Sequence, residues 1–400
     1  MKRNIYLPLL LLFILADVMC DNFLVKTFNN NSPLQQLILL SIFLVLQILA
    51  SPIQAGFSDF YCRKKSLVIS LTFSLFSLIV QFFYTQEILF FFSTLILMIV
   101  LKGTLGNTTP LSLAAIADTQ TKNIRFSFAL STGSFALAYL ILINFNKFLS
   151  NEQANIAMSM IYLTLIYFSI FHFKDIRDNK SSIHQKISRS SNPKMDRWKL
   201  ILNDINLIIH ELQLSHTRNA LLSFLLWEIS LYSILLLYID FNVSRFSIVS
   251  LAMVFGYIFG VLILNFCKKI HDKTIIKLGY NISAVSLIPF FILYIFSNEL
   301  DVYVLSGCYF FHMVGNAFLS AALFSLLANE REFHEQGKIY GLISSVDTVS
   351  FMLSLIAVII YNTFNLNPLY IISFSFLAVA VSWFPYAKFE RTKHRTVKQQ

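Results

Sequence analysis

Asp17 and Asp21 stand four residues apart, which puts two carboxylates on one face of a helix. Two like charges in apolar surroundings can share a proton or a cation, with one of them holding its proton more tightly. Lys102 brings an ammonium that can pair with either carboxylate, and Glu228, His312 and Asp347 add three more ionisable groups, each inside its own apolar stretch. A charge at bilayer depth costs several kcal/mol unless it faces a protein interior or a wetted cavity, so each of these positions is a functional candidate. Asp17, Asp21 and Glu228 against Lys102 leave about two uncompensated negative charges if all are ionised. A proton, or a cationic or zwitterionic solute, would relieve that state.

The elements that carry these groups are long and apolar. The 400 residues are 56% hydrophobic, 15% aromatic and only 13% charged, with a mean hydropathy of +0.66. Soluble chains carry roughly twice that charge fraction, so the composition describes an all-α integral membrane protein. Spans of about 20 residues fall at 5–24, 36–55, 66–84, 88–117, 126–145, 154–173, 218–239, 246–266, 276–296, 302–328, 338–361 and 368–387. Asp17 and Asp21 lie in the first, Lys102 in the fourth, Glu228 in the seventh, His312 in the tenth and Asp347 in the eleventh. At about 1.5 Å per residue, Asp17, Lys102, Glu228 and His312 are all near the middle of a hydrocarbon core about 30 Å thick.

Charge placement gives the topology. Of the 31 Lys and Arg residues, only Lys26, Lys147 and Arg245 would lie outside if the amino terminus is inside, with Lys102 in the membrane. That asymmetry predicts both termini in the cytoplasm and an even number of spans. The net charge of +10 belongs to loops, and no nucleic-acid partner is expected. Residues 1–173 form an amino-terminal six-helix half, 174–217 a polar linker, 218–387 a carboxy-terminal six-helix half and 388–400 a basic tail. Within the linker, Trp198, Ile201, Leu202, Ile205, Ile208, Ile209 and Leu212 recur at helical spacing and predict an amphipathic helix along the cytoplasmic face. The first segment is interrupted by Asp17 and Asp21 and lacks a small-x-small cleavage site, so it reads as a retained helix.

Several chemistries are not supported. No phosphate-loop, His-Glu-x-x-His or Gly-x-Ser-x-Gly motif occurs, the eight histidines are dispersed, and the four cysteines have no metal-ligand spacing. The expectation is a chain that is no enzyme and needs no metal or cofactor. A membrane-embedded enzyme and a transporter-like sensor are the readings of another class.

Local motifs then lead to a family. Gly56-Phe57-Ser58-Asp59-Phe60-Tyr61-Cys62-Arg63-Lys64-Lys65, after the second segment, resembles the Gly-x-x-x-Asp-x-x-x-Arg-Arg/Lys signature of the major facilitator superfamily, with the Gly one position closer to the Asp. The stretch from Lys102 to Thr108 resembles the superfamily's Arg-x-x-x-Gly-x-Gly pattern in the fourth helix, with Lys for Arg and Thr for the last Gly. Asp118 to Arg125 looks like the loop that follows, and Glu335 to Gly341 is similar to the usual entry into the eleventh helix. One departure is in the fifth segment, where Leu130 to Ala138 contains no proline and so lacks the Gly-Pro motif of drug antiporters.

The resemblance implies twelve helices in two six-helix bundles around a central cavity lined by helices 1, 4, 7 and 10. There Asp17, Asp21, Lys102, Glu228 and His312 would bind substrate and protons, with Asn107, Tyr139, Trp227 and Asn316 as further contacts. Gly56, Asp59, Arg63 and Lys64 would form a breakable cytoplasmic latch, with Asp59 capping the start of a neighbouring helix, and Asp347 would serve coupling or packing. The plainer alternatives are that Glu228 and His312 partner backbone or Ser groups and that Asp21 is solvated near the outer interface. The expected function is secondary active transport by alternating access: proton-coupled uptake of a small cationic or zwitterionic metabolite such as an amino acid, by a monomer in a bacterial inner membrane. Efflux of an amphipathic cation, drug or siderophore-like compound is the alternative.

Overall fold

A computed structural model of the chain describes residues 6–28, 33–60, 62–85, 92–120, 123–173, 213–241, 246–297, 302–329, 336–364 and 369–397. All regular structure among them is helical. The helices are α1 (Tyr6–Phe28), α2 (Pro33–Phe60), α3 (Arg63–Thr85), α4 (Phe92–Val100), α5 (Thr109–Thr119), α6 (Ile124–Phe148) and α7 (Asn151–Phe171). They continue with α8 (Ser215–Phe241), α9 (Phe246–Phe266), α10 (Asp272–Ser297), α11 (Val302–Asn329), α12 (Gln336–Thr363) and α13 (Leu369–Val397). A π-helical turn, Leu101–Leu105, continues α4. Because α4, this turn and α5 are the pieces of one interrupted span, the described helices make twelve spans. The predicted amphipathic linker helix at 198–212 lies outside the described residues.

Helical structure is forced by the solvent these residues imply. In hydrocarbon every backbone N–H and C=O must be satisfied within its own segment, which a helix does and an irregular chain does not. The side-chain pattern is the inverse of a soluble protein's. On α9, Phe255, Ile258, Phe259, Leu262 and Phe266 form an exposed apolar stripe, whereas Ser223 and Ser233 on α8, Ser283 on α10, Ser354 on α12 and Ser382 on α13 are buried. The buried hydroxyls join helices directly: Ser223 Oγ donates to the Ser382 carbonyl at 2.8 Å, and Ser354 Oγ to the Ile229 carbonyl at 3.1 Å. Small polar groups of this kind hold helices together where burial of apolar area gives no driving force.

The chain divides into two compact units. Unit 1 comprises Met1–Lys122, Asn144–Glu211 and Arg331–Ser345, and so takes α1 to α5, α7 and the opening turns of α12. Unit 2 comprises Asn123–Ile143, Leu212–Glu330 and Val346–Gln400, taking most of α6, all of α8 to α11, the remainder of α12 and α13. In unit 2, α11 is buried along nearly its whole length.

Candidate functional site

The site in unit 1 is built around the interruption between α4 and α5. The sequence reading treats residues 88–117 as one continuous helix; the structure passes through the π-helical turn at 101–105 and breaks at residues 106–108, and Pro110 is the physical reason. Proline has no backbone N–H, so the carbonyl four residues earlier, that of Gly106, has no helical donor. That carbonyl instead accepts hydrogen bonds from the Ser74 hydroxyl at 2.6 Å and the Lys102 ammonium at 2.9 Å. Glycine at 106 permits the close packing, since a Cβ there would lie 2.9 Å from Lys102 Cα and 3.0 Å from Ser74 Oγ.

On the other side of the break, the first amides of α5 lack intrahelical acceptors. Thr108 is the N-cap residue, but its side chain does not cap the helix. Asp17 of α1 does so: its Oδ2 accepts from Thr108 N at 2.9 Å, Thr109 N at 2.8 Å and the Thr109 hydroxyl at 2.7 Å. Its Oδ1 is paired with Lys102 Nζ. Lys102 is fully buried, and its ammonium meets three oxygens: Asp17 Oδ1, the Gly106 carbonyl and Asp21 Oδ1, the last at 3.0 Å. Asp21 differs from Asp17 in accessibility, with 28% of its side chain exposed against 2%. Its other oxygen accepts from Gln47 Nε2 at 2.9 Å. Two carboxylates and one ammonium therefore form a mid-span triad, one carboxylate locked to backbone and the other open.

A second cluster in unit 1 surrounds Arg63. Asp59 lies in the last turn of α2 and pairs with Arg63 one turn later. The Arg63 Nε also donates to Asp118 Oδ2 at 2.8 Å, at the end of α5. The same Asp59 carboxylate accepts from Gly337 N at 2.9 Å and Lys338 N at 3.1 Å, capping the start of α12. Gly337 is required by this approach, because a Cβ would lie 2.0 Å from the Ala55 carbonyl oxygen. Gly56 faces the Lys338 side chain, and Lys64 Nζ donates to the Ile170 carbonyl at the end of α7 at 2.6 Å.

Glu228 and His312 belong to unit 2, with Asp347. Tyr232 OH donates to Asp347 Oδ1 at 2.7 Å, and the Glu228 and Asp347 carboxyls are within electrostatic reach of each other. His312 stacks face to face on Trp227, with ring centroids 5.4 Å apart and planes 2° from parallel. Its ring nitrogens lie beside the Ser283 backbone without meeting hydrogen-bond geometry. Asn316 Oδ1 is buried and has no hydrogen-bond partner. Asn107, in unit 1, donates to Ser51 Oγ at 2.8 Å, tying the break to α2. The side chain of Tyr139 lies outside the described residues.

Sequence reasoning did not name Thr108, Thr109, Gln47 or Asp118 as partners. The signal for the first two was available in Thr108-Thr109-Pro110, since proline in the first turn marks a helix start. It also missed a further ion pair in unit 2, Arg125 Nε to Asp272 Oδ1 at 2.7 Å, in which Arg125 also donates to the Ile270 carbonyl at 2.9 Å. Among the described residues no group of three or more His, Cys, Asp or Glu side chains could hold a metal ion.

Comparison with solved structures places this arrangement in a known fold. The human organic anion transporter MFSD10 (TETRAN) aligns over 97% of this chain and 100% of its own, with 16% identity and a TM-score of 0.68. A bacterial homologue of the iron transporter ferroportin, in an outward-facing state, aligns over 97% and 99% with 13% identity and a TM-score of 0.71. The transporter FucP, in the outward conformation, aligns over 97% and 99% with 12% identity and a TM-score of 0.66. Comparison with curated proteins finds no match. The sequence profile of the Major Facilitator Superfamily matches residues 1–355. With its apolar spans, interrupted fourth span and capped entry into α12, this integral multi-pass membrane protein has a transporter fold, and the chain belongs to the major facilitator superfamily.

Proposed function

We propose that this chain is a proton-coupled secondary transporter that works by alternating access and takes up a small cationic or zwitterionic metabolite, such as an amino acid. The observation that carries the reading is the triad of Asp17, Asp21 and Lys102. With all three ionised it bears one net negative charge, and Asp21 is the member a proton can reach. Protonation of Asp21 neutralises the triad and weakens its hold on Lys102, which changes the electrostatic cost of the site as a coupling step requires. Asp17 keeps the break in place throughout, because its hydrogen bonds go to backbone. In the same scheme the Asp59 contact with Gly337 and Lys338 is a latch that forms in one state and opens in another. The charge asymmetry of the loops supports both termini in the cytoplasm of a bacterial inner membrane.

Efflux of an amphipathic cation is the second reading. It is favoured by the tyrosines around the acidic pair of unit 2, Tyr232 on Asp347 and Tyr257 near Glu228. The test is reconstitution in proteoliposomes containing a trapped pH dye, with a proton gradient imposed in either direction and a panel of amino acids, polyamines and amphipathic cations. Uptake predicts solute movement with protons, efflux predicts movement against them, and Asp21→Asn abolishes the gradient dependence in both. Solute flux that ignores the gradient in the unmodified protein would remove the proton-coupled reading. Recovered solute is expected unchanged by mass spectrometry; chemical conversion would point to an enzyme.

A further inference from the structure

Unit 2 contains an acidic pair with no counterpart to Lys102. Glu228 and Tyr232 are i and i+4 on one face of α8. The Tyr232 hydroxyl, 2.7 Å from Asp347 Oδ1, fixes the α12 carboxylate opposite that face. Glu228 is 6% exposed, and its charge reaches both Asp347 and Tyr257 of α9. Among the described residues neither Glu228 nor Asp347 is paired with a Lys or Arg, whereas the two carboxylates of unit 1 share Lys102. A buried and a half-buried carboxylate without a cation are an expensive arrangement at membrane depth unless something else brings positive charge.

A second observation points the same way. The Tyr257 hydroxyl is held between Thr132 of α6 and Ser320 of α11. Asn316 lies one turn before Ser320 on the same face of α11, and its Oδ1 is a buried acceptor with no donor. An unfilled acceptor in the same unit as two carboxylates that lack a Lys or Arg partner calls for a ligand that carries N–H donors and positive charge.

We infer that Glu228 and Asp347 form the subsite for the cationic head of the substrate, a small organic ammonium of net positive charge, with Tyr232 positioning Asp347 and Asn316 accepting from the same group. The inference rests on the transporter reading above and sharpens its substrate class. A zwitterion is disfavoured because its carboxylate would find no cation among the described residues of unit 2 near this pair, and Lys102 of unit 1 is already surrounded by three oxygens. Protons compete with the ammonium for the same oxygens. The titratable groups around the pair are Tyr232 on α8, Tyr257 on α9, and, further along α8, Tyr309 and His312 of α11, which meet the Leu231 carbonyl and Trp227. On α6 the neighbour is the Thr132 hydroxyl, and on α13 the contact to α8 is the Ser382 carbonyl at Ser223.

The test is calorimetric titration of the purified full chain in lipid nanodiscs with putrescine, choline and the zwitterion betaine. At least one of the two cations is expected to bind saturably and more tightly than betaine. Glu228→Gln and Asp347→Asn should each weaken it by at least about tenfold, as removal of one buried charge partner does. Tyr232→Phe should weaken it less, and lowering the pH from about 8 to about 5.5, toward the carboxyl range, should weaken it in the unmodified protein. Thermal unfolding of each variant, followed in parallel, separates loss of binding from loss of fold. Unchanged affinity in folded Glu228→Gln and Asp347→Asn, tighter binding of betaine, or no saturable binding of either cation overturns the assignment. Asp21→Asn separates the two proposals. If it abolishes gradient-driven flux while the unit 2 variants bind normally, coupling stands and the subsite falls. If the unit 2 variants lose binding while flux ignores the gradient, the subsite stands and coupling falls.

Discussion

The Asp17 carboxylate takes two hydrogen bonds from Thr109, one from its amide at 2.8 Å and one from its hydroxyl at 2.7 Å. A side chain of the first span thus supplies the cap that α5 lacks in its own sequence, which separates the roles of the two neighbouring carboxylates. Asp17→Ala should lower thermal stability, because it removes both a cap and the partner of a buried ammonium, each worth about 1 kcal/mol or more. Asp21→Asn should leave the unfolding temperature close to that of the unmodified protein while removing the response to a proton gradient. Differential scanning fluorimetry with the vesicle assay distinguishes them; equal stability loss in the two variants would show that the division of labour is wrong.

Lys102→Met leaves two carboxylates facing each other without a cation and strips one donor from the Gly106 carbonyl. Breaking a buried pair from one side costs about 3 to 5 kcal/mol, so this variant should be strongly destabilised when measured by thermal unfolding. Adding Asp21→Asn should recover part of that loss, since it removes one of the stranded charges. No recovery would mean that Asp21 and Lys102 do not interact energetically.

The Asp59 carboxylate should protect the amides of Gly337 and Lys338 from exchange with solvent, because it accepts from both. Asp59→Asn, and independently Gly337→Ala, should raise hydrogen–deuterium exchange in the peptide containing residues 336–345 by at least about fivefold, the effect of about 1 kcal/mol on local opening. Exchange at the Asp17 cap on α5 should be unaffected. Uniform change across the protein would indicate general destabilisation instead.

The membrane fold was legible because its signal is long: a run of about 20 apolar residues has few other meanings. The fourth span shows the limit of that reading. Residues 101–110 are polar at Lys102, Asn107, Thr108 and Thr109, but a window of about 20 residues averages over them, and it does not register the one missing N–H at Pro110 that interrupts the helix. Individual ionisable residues stood out for the same reason that they are costly. Their partners did not, because Asp17 and Thr109 are 92 residues apart and Asp59 and Gly337 are 278 apart. Glu228 and Asp347 were legible as separate charges, but that Tyr232 bridges α8 to Asp347 depends on which faces of α8 and α12 meet, a matter of packing.

The interruption between α4 and α5 has a polarity of its own. Its upstream half ends in the Gly106 carbonyl, where the partial charge of a helix is negative, and Lys102 sits there; its downstream half begins with the Thr108 and Thr109 amides, where it is positive, and Asp17 sits there. Each ion is matched to one half-helix dipole as well as to the other ion. Exchanging them, Asp17→Lys together with Lys102→Asp, preserves the pair and the total charge but sets both ions against the wrong dipole, so the swapped protein should remain less stable than the original in thermal unfolding.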